Sequence, residues 1–200
     1  MDFPCYLVAL PQMQDEFFSQ AVVLLSQQDD QGAFGIVINK PIEVEGNDGN
    51  HQVVAELRDA HSEKVYEIKD NLFKGGPAED QSIFVIHEDE NLVEGGTRLG
   101  EHLFLSTNPT VLQSLLEMGQ SGPKRRYFLG CSAWSKGQLE SEIRAGSWVL
   151  LPFQEKFILD EVDKQSSEPW TTRLWRKVLL SGGLDPLTLV SQGKSDSGYN

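Results

Sequence analysis

The feature that most constrains this chain is a pair of apolar runs set around an acidic turn. Ala21–Ser26 (AVVLLS) and Ala33–Asn39 (AFGIVIN) flank Asp29, Asp30, Gln31 and Gly32. Branched apolar runs on either side of an Asp-rich turn closing in glycine form a hairpin, because Asp and Gly tolerate the backbone angles a tight reversal needs. Both runs are nearly continuous in apolar residues instead of alternating, so both strands are expected to be covered on two faces. The hairpin therefore belongs at the centre of a sheet.

Punctuation around the other apolar segments supplies the remaining elements. Cys5–Leu10 is a short run ended by Pro11, a strand that stops where proline removes a donor. From Pro41 to Asp70 the composition turns polar and acidic and reads as a mobile loop, with only Val53–Leu57 hinting at a short helix. Leu72-Phe73-Lys74 runs into Gly75-Gly76-Pro77, a tight backbone corner, before a strand at Ser82–His87. After a short strand at Leu103–Ser106, Asn108-Pro109 opens a helix through Met118, with asparagine as N-cap, proline in the first turn and Gly119 closing it. Val111, Leu112, Leu115, Leu116 and Met118 recur at helical spacing and predict one buried face.

Tyr127–Cys131 reads as a strand, Gln138–Ala145 as a helix closed by Gly146, and Trp148–Phe153 as a strand; a right-handed parallel crossover and an antiparallel placement are both open. Phe157–Leu159 reads as a last short strand. Pro169–Ser181 reads as an amphipathic helix with Leu174, Trp175, Val178 and Leu179 inward. The pattern predicts one α/β domain over residues 1–190 and a tail, 191–200, too polar to order itself.

Composition narrows the function. At 200 residues about 70% of the unfolded surface can be buried, so the core needs no metal or disulfide staples. Two cysteines, Cys5 and Cys131, give neither a disulfide framework nor metal-ligand spacing, which suits a reduced, cytoplasmic protein. The N-terminus lacks a basic region before its apolar stretch, and no run approaches the ~20 apolar residues of a membrane helix.

Thirty acidic against 17 basic side chains leave a net charge of −13, and the first 100 residues hold 19 of the acids. Such a field repels nucleic acid, whose non-specific binding rests on neutralising phosphates. The local exceptions are Lys124, Arg125 and Arg126, and Arg173, Arg176 and Lys177, which read as solvated faces or complements of acidic neighbours.

The segment from Gly130 to Glu142 (GCSAWSKGQLESE) concentrates polar and unusual residues where a strand is expected to hand over to a helix. Ligands favour such strand ends, where helix N–H groups are unpaired, so an anionic small molecule is one reading. The structural alternative has Ser135 capping the helix, Trp134 in the core, and Gly130 and Gly137 supplying backbone room. Gly130-Cys131-Ser132-Ala133-Trp134 lacks the second glycine of a hydrolase elbow, and Cys131 reads as a buried structural cysteine. His87 with Glu88, Asp89 and Glu90 matches no defined metal site and reads as a solvated acidic turn. Neither a P-loop nor a Gly-x-Gly-x-x-Gly fingerprint occurs, and no helix-turn-helix signature is present. No catalytic residues, metal or cofactor are expected.

Taken in order, Leu7-Val8-Ala9-x-Pro11, Asp15-x-Phe17, Ala21-Val22-Val23, Gly32-Ala33-Phe34-Gly35 through Asn39-Lys40-Pro41, Gly75-Gly76-Pro77, His87, Ala133-Trp134-x-x-Gly137-Gln138-Leu139-Glu140-x-Glu142 and Gly146-x-Trp148 resemble the YqgE/AlgH family of small bacterial proteins. The resemblance runs from about residue 5 to 190. It implies a single domain with a bulged, partly open barrel-like mixed sheet flanked by helices. It also carries the label of transcriptional regulator, for which no DNA-binding motif is visible. Family members commonly have histidine where this chain has Gln28 and arginine-serine where it has Gln20-Ala21, so roles involving those residues do not carry over. The family's central surface, transferred to this chain, is built from Asn39, Lys40, Gly76, Trp134, Gly137, Gln138 and Glu140. The expectation is a non-catalytic regulatory or interaction module with a protein partner; the alternative is a small-molecule binder or an enzyme with a strand-end pocket around Trp134, Gln138 and Glu140.

Overall fold

In the computed structural model, which describes residues 2–42, 55–58, 65–68, 71–162 and 166–189, the two apolar runs pair as a hairpin across the Asp29–Gly32 turn. The strands in chain order are β1 (Cys5–Ala9), β2 (Val22–Asp29), β3 (Gly32–Val37), β4 (Ala55–Arg58), β5 (Val65–Ile68), β6 (Leu72–Lys74), β7 (Ala78–His87), β8 (Thr97–Arg98), β9 (Phe104–Ser106), β10 (Arg125–Ser135) and β11 (Trp148–Pro152). The helices are α1 (Pro109–Glu117), α2 (Gln138–Arg144) and α3 (Trp170–Ser181). They fall into two compact units, Met1–Lys40 with Ser132–Asn200, and Pro41–Cys131.

In the first unit the strand order is β11-β1-β2-β3-β10 with every neighbouring pair antiparallel. The hairpin sits inside this sheet, as its unbroken apolar runs require: β1 is buried throughout and β2 over its first four residues. The strands on either side of α2 point the same way, yet three strands separate them, and β11 lies antiparallel to β1. One core gathers Leu7, Val23, Leu25, Trp134, Leu139 and Trp148, with Phe17 and Phe18 packed against it. Helix α3 buries Leu174, Trp175, Val178 and Leu179, the stripe its spacing predicts, and the Trp175 indole donates to the Ala9 carbonyl at 2.6 Å.

The second unit has the first part of β10 paired antiparallel with β7 and parallel with β6; β9 and β8 continue outward from β7. That parallel pair makes the sheet mixed. Helix α1 places Val111, Leu112 and Leu115 on Ile68, Leu72, Val85 and Tyr127, and the Asn108 side chain caps it by accepting from the Thr110 N–H at 2.9 Å. The architecture is the mixed α/β one expected, with an antiparallel-dominated sheet that does not close into a barrel and helices against it.

Three local expectations are corrected. Where Val53–Leu57 hinted at a helix, Ala55–Arg58 is a strand paired with Val65–Ile68, because partner hydrogen bonds outweigh a weak local propensity; the rest of that hint, and most of the predicted loop, lie outside the described residues. Phe157–Leu159 is no strand: after Pro152 the chain leaves the sheet and makes a 3-10 turn at Glu155–Phe157 that buries Phe157 and Ile158. Most consequentially, the strand expected to end at Cys131 runs to Ser135. Its register with β7 slips between Leu129 and Cys131, at Gly130, whose φ of +73° only glycine adopts cheaply, so a bulge absorbs an irregularity that reads as a strand end. The predicted tail, 191–200, lies outside the described residues.

Candidate functional site

The strand extension puts Trp134 on β10, opposite Ala33 of β3, and not in a loop. Its side chain is 5% exposed. Phe18 packs against both Trp134 and Trp148, at ring-centroid distances of 6.1 and 5.3 Å, and the two indoles meet edge-on at 6.0 Å. Buried indoles need acceptors for their N–H groups. Glu142 supplies both: its Oε2 accepts from Trp134 Nε1 at 3.0 Å and from Trp148 Nε1 at 2.8 Å, while its Oε1 accepts from Gln138 Nε2 at 2.9 Å.

The start of α2 serves the same arrangement. Gly137, not Ser135, occupies the N-cap position, in the left-handed region at φ +75°. Nothing lies within 4 Å of where its Cβ would stand, so glycine is required there by backbone angle alone. With no hydroxyl at the cap, Gln138 reaches back and accepts from the Ser135 backbone N–H at 3.1 Å. Glu140 points elsewhere and accepts from Gln28 Nε2 at 2.7 Å, an exposed tie between α2 and the end of β2.

The other residues of the expected surface separate. Lys40 Nζ donates to the Ser19 carbonyl at 3.1 Å and stands 5.7 Å from the Phe17 ring centre, one aromatic step from Phe18. Asn39 is fully buried: its Oδ1 accepts from the Val22 N–H, its Nδ2 donates to the Gln20 and Thr171 carbonyls, and its own carbonyl accepts from Thr171 Oγ1. It bolts the end of the hairpin to α3. Gly76 belongs to the second unit, where it is buried and its carbonyl stands 2.7 Å from where a Cβ on Gly130 would be. Trp134 and Gln138 are thus brought together on Glu142, Gly137 starts the helix that carries it, Glu140 ties that helix to β2, Lys40 sits on Ser19 and Phe17, and Asn39 is spent on the fold.

The pattern of the sequence names Glu142 and Trp148 without a role in the site and does not single out Phe18. The i,i+4 spacing of Gln138 and Glu142 was the available signal for one contact. The indoles come from residues eight before and six after Glu142, on separate strands, which no helical periodicity reveals. Neither thiol is poised for attack: burial pushes Cys5 and Cys131 up to about 11, so both stay protonated near neutral pH. Among the described residues no group of three or more His, Cys, Asp and Glu side chains is placed to hold a metal.

The profile of the AlgH-like family, DUF179, matches residues 6–187. The chain belongs to the AlgH-like family. A UPF0301 protein of Shewanella sp. strain W3-18-1 is 35% identical over 159 residues, 78% of this chain and 81% of that protein. A UPF0301 protein of Vibrio parahaemolyticus is 28% identical over 197 residues, 97% of this chain and 96% of its own. Among solved structures, the solution structure of the AlgH protein from Pseudomonas aeruginosa superimposes with a TM-score of 0.63 at 25% identity, covering 94% of this chain and 92% of that one. A crystal structure of a Corynebacterium diphtheriae protein gives 0.63 at 22% identity over 93% and 90%, which shows a shared fold. The AlgH-like fold is therefore common to this chain and both structures, and no helix among the described residues is long and apolar enough to cross a membrane.

Proposed function

We propose that this AlgH-like chain is a non-catalytic regulatory or interaction module that works through protein contacts and does not grip nucleic acid. One observation carries this reading: apart from exposed Lys124, the side chains of the two basic clusters have partners within the protein. Arg126 is 3% exposed, with its guanidinium 4.2 Å from the Phe73 ring centre. Arg125 donates to the Tyr127 hydroxyl and to the carbonyls of Pro123 and Gly119. In α3, Arg176 forms a two-pronged pair with Glu168 at 2.7 Å, Lys177 meets Asp160 at 2.9 Å and Arg173 lies over the Trp170 ring. A guanidinium already satisfied offers phosphate little, and the net charge of −13 opposes approach.

A pocket around Trp134, Gln138 and Glu140 has weaker support. The Trp134 N–H and the Gln138 amide are both donated to Glu142, and Glu140 holds Gln28, so the groups a ligand would use already have partners. Two measurements test the proposal. Anisotropy titration with a fluorescent random-sequence duplex at low salt is expected to show no saturation up to about 100 µM, the weak end of non-specific binding. Saturable binding that weakens steeply with salt would overturn it. In a thermal-shift screen of nucleotides and metabolites, a true ligand at 100 times its dissociation constant adds about 2.7 kcal/mol; a hit removed by Gln138→Ala would put the pocket reading first.

A further inference from the structure

His87 ends β7 and is completely buried. Its Nδ1 accepts the backbone N–H of Asp89 at 3.2 Å, so the neutral ring carries its proton on Nε2. Nε2 has no hydrogen-bond partner among the described residues. The turn it holds is itself built on Asp89, whose Oδ1 accepts from the Asn91 N–H at 2.8 Å and from Asn91 Nδ2 at 3.1 Å, and whose carbonyl accepts from Leu92. The imidazole therefore holds Asp89, the second residue of the β7–β8 connection, next to Glu88, whose own N–H donates to the Lys124 carbonyl at 3.2 Å.

Burial opposes a charge on this ring. Arg125 of β10, His87 of β7, Phe104 of β9 and Arg98 of β8 are successive register partners, a row across one face of the sheet. Phe104 stacks on His87, with centroids 5.8 Å apart and planes 27° from parallel, and the Arg98 guanidinium lies 5.2 Å over Phe104. The charged neighbours of His87 in this row are Arg125 at the paired position of β10, whose guanidinium is bonded to Tyr127 and to the Pro123 and Gly119 carbonyls, and Arg98 beyond Phe104, with Asp89 in its own turn. Glu90 is drawn to Arg98 and His102, each at 3.9 Å. A protonated imidazole would be a third cation in the row, buried, with two N–H groups to satisfy where one already has no partner. Its Nδ1–H would also face the Asp89 N–H, donor against donor.

We propose that His87 is an acid-released latch on the turn after β7: the neutral imidazole holds the Asp89 N–H, and protonation releases Asp89 while Glu88 stays bonded to the Lys124 carbonyl. The device is independent of what the surface binds. Burial lowers the proton affinity of His87 from the ordinary 6.5, with Asp89 pulling the other way. A ring that prefers to be neutral when closed contributes its full holding free energy above 6.5 and loses it as pH falls below that value.

The test is nitrogen-15 NMR of the wild-type chain from about pH 7.5 to about pH 5, with amide exchange at Asp89 read alongside. The expected results are an Nε2–H tautomer at the upper end, a His87 midpoint below 6.5, and Asp89 protection falling by up to about tenfold per pH unit below 6.5. His87→Asn places an amide oxygen near the position of Nδ1 without a titrating group, so its Asp89 protection factor is expected to be independent of pH. An Nδ1–H tautomer, a midpoint at or above 6.5, or the same acid response in His87→Asn would overturn the latch. Should that variant fail to fold, the tautomer and midpoint of the wild-type ring decide the matter.

Discussion

The Glu142 cluster and the His87 row are two polar arrangements around buried rings, built on opposite principles. Around Glu142, two indole N–H groups and a glutamine amide converge on one carboxylate, and every donor named there has its acceptor. Around His87, one ring nitrogen is satisfied and the other has no partner among the described residues. A satisfied buried network fixes a single packing, because any rearrangement strands a donor. In a half-satisfied one, the bond that the ring does make can be released by a single proton. The first arrangement contains the residues most conspicuous in the sequence, and the second contains a histidine that reads there as part of an acidic turn.

The largest expected effect breaks the first arrangement at its centre. Trp134→Ala removes a side chain that is 5% exposed and packed on Phe18 and Trp148, and is expected to cost about 3–5 kcal/mol of stability by urea denaturation. A loss below about 1 kcal/mol would mean that the indole is poorly packed and free for a ligand. Next comes Glu142→Ala, which leaves the Trp134 and Trp148 N–H groups without their acceptor; about 2–4 kcal/mol is expected, since each orphaned donor costs about 1–3. The cycle of Trp134→Phe with Glu142→Ala should show a coupling of about 0.5–3 kcal/mol, whereas strict additivity would mean that the hydrogen bond contributes nothing.

The same contrast explains what was legible in the sequence. The hairpin, the capped helix α1 and the inward stripe of α3 are written in neighbouring residues, through turn chemistry, capping and periodicity. The continuation of β10 past Gly130 was not, because a bulge and a strand end use the same glycine, and only the pairing of Ser132–Ser135 with Gly32–Gly35 distinguishes them. Asn39 was picked out as a polar residue at a strand end, yet its partner Thr171 lies 132 positions away, so its role in joining the hairpin to α3 could not be read locally. The strand-end pattern and the family resemblance point to Trp134, Gln138 and Glu140 but not to the carboxylate that organises the first two. Glu142 acquires its role only when the sheet brings Trp148 beside Trp134.

A smaller effect probes how the cluster is oriented. Gly137→Ala keeps open space around the new methyl but forces alanine to φ +75°, which is expected to cost about 1–2 kcal/mol with no change in the denaturant slope. A neutral result would show that the start of α2 relaxes out of the left-handed region, and that the Ser135–Gln138 bond does not fix it.

The smallest effect sharpens the comparison most. Gln138→Ala takes away the exposed one of the three donors to Glu142 and leaves both indole bonds in place. Because solvent can replace an exposed amide, the loss is expected to be about 0.5–1 kcal/mol in chemical denaturation, well below that of Glu142→Ala. If Gln138→Ala instead costs as much as Glu142→Ala, the carboxylate is held by the helix start and not by the indoles. The cluster would then rest on one interaction, as the hold on the Asp89 N–H does, and the distinction between a network and a latch would fail.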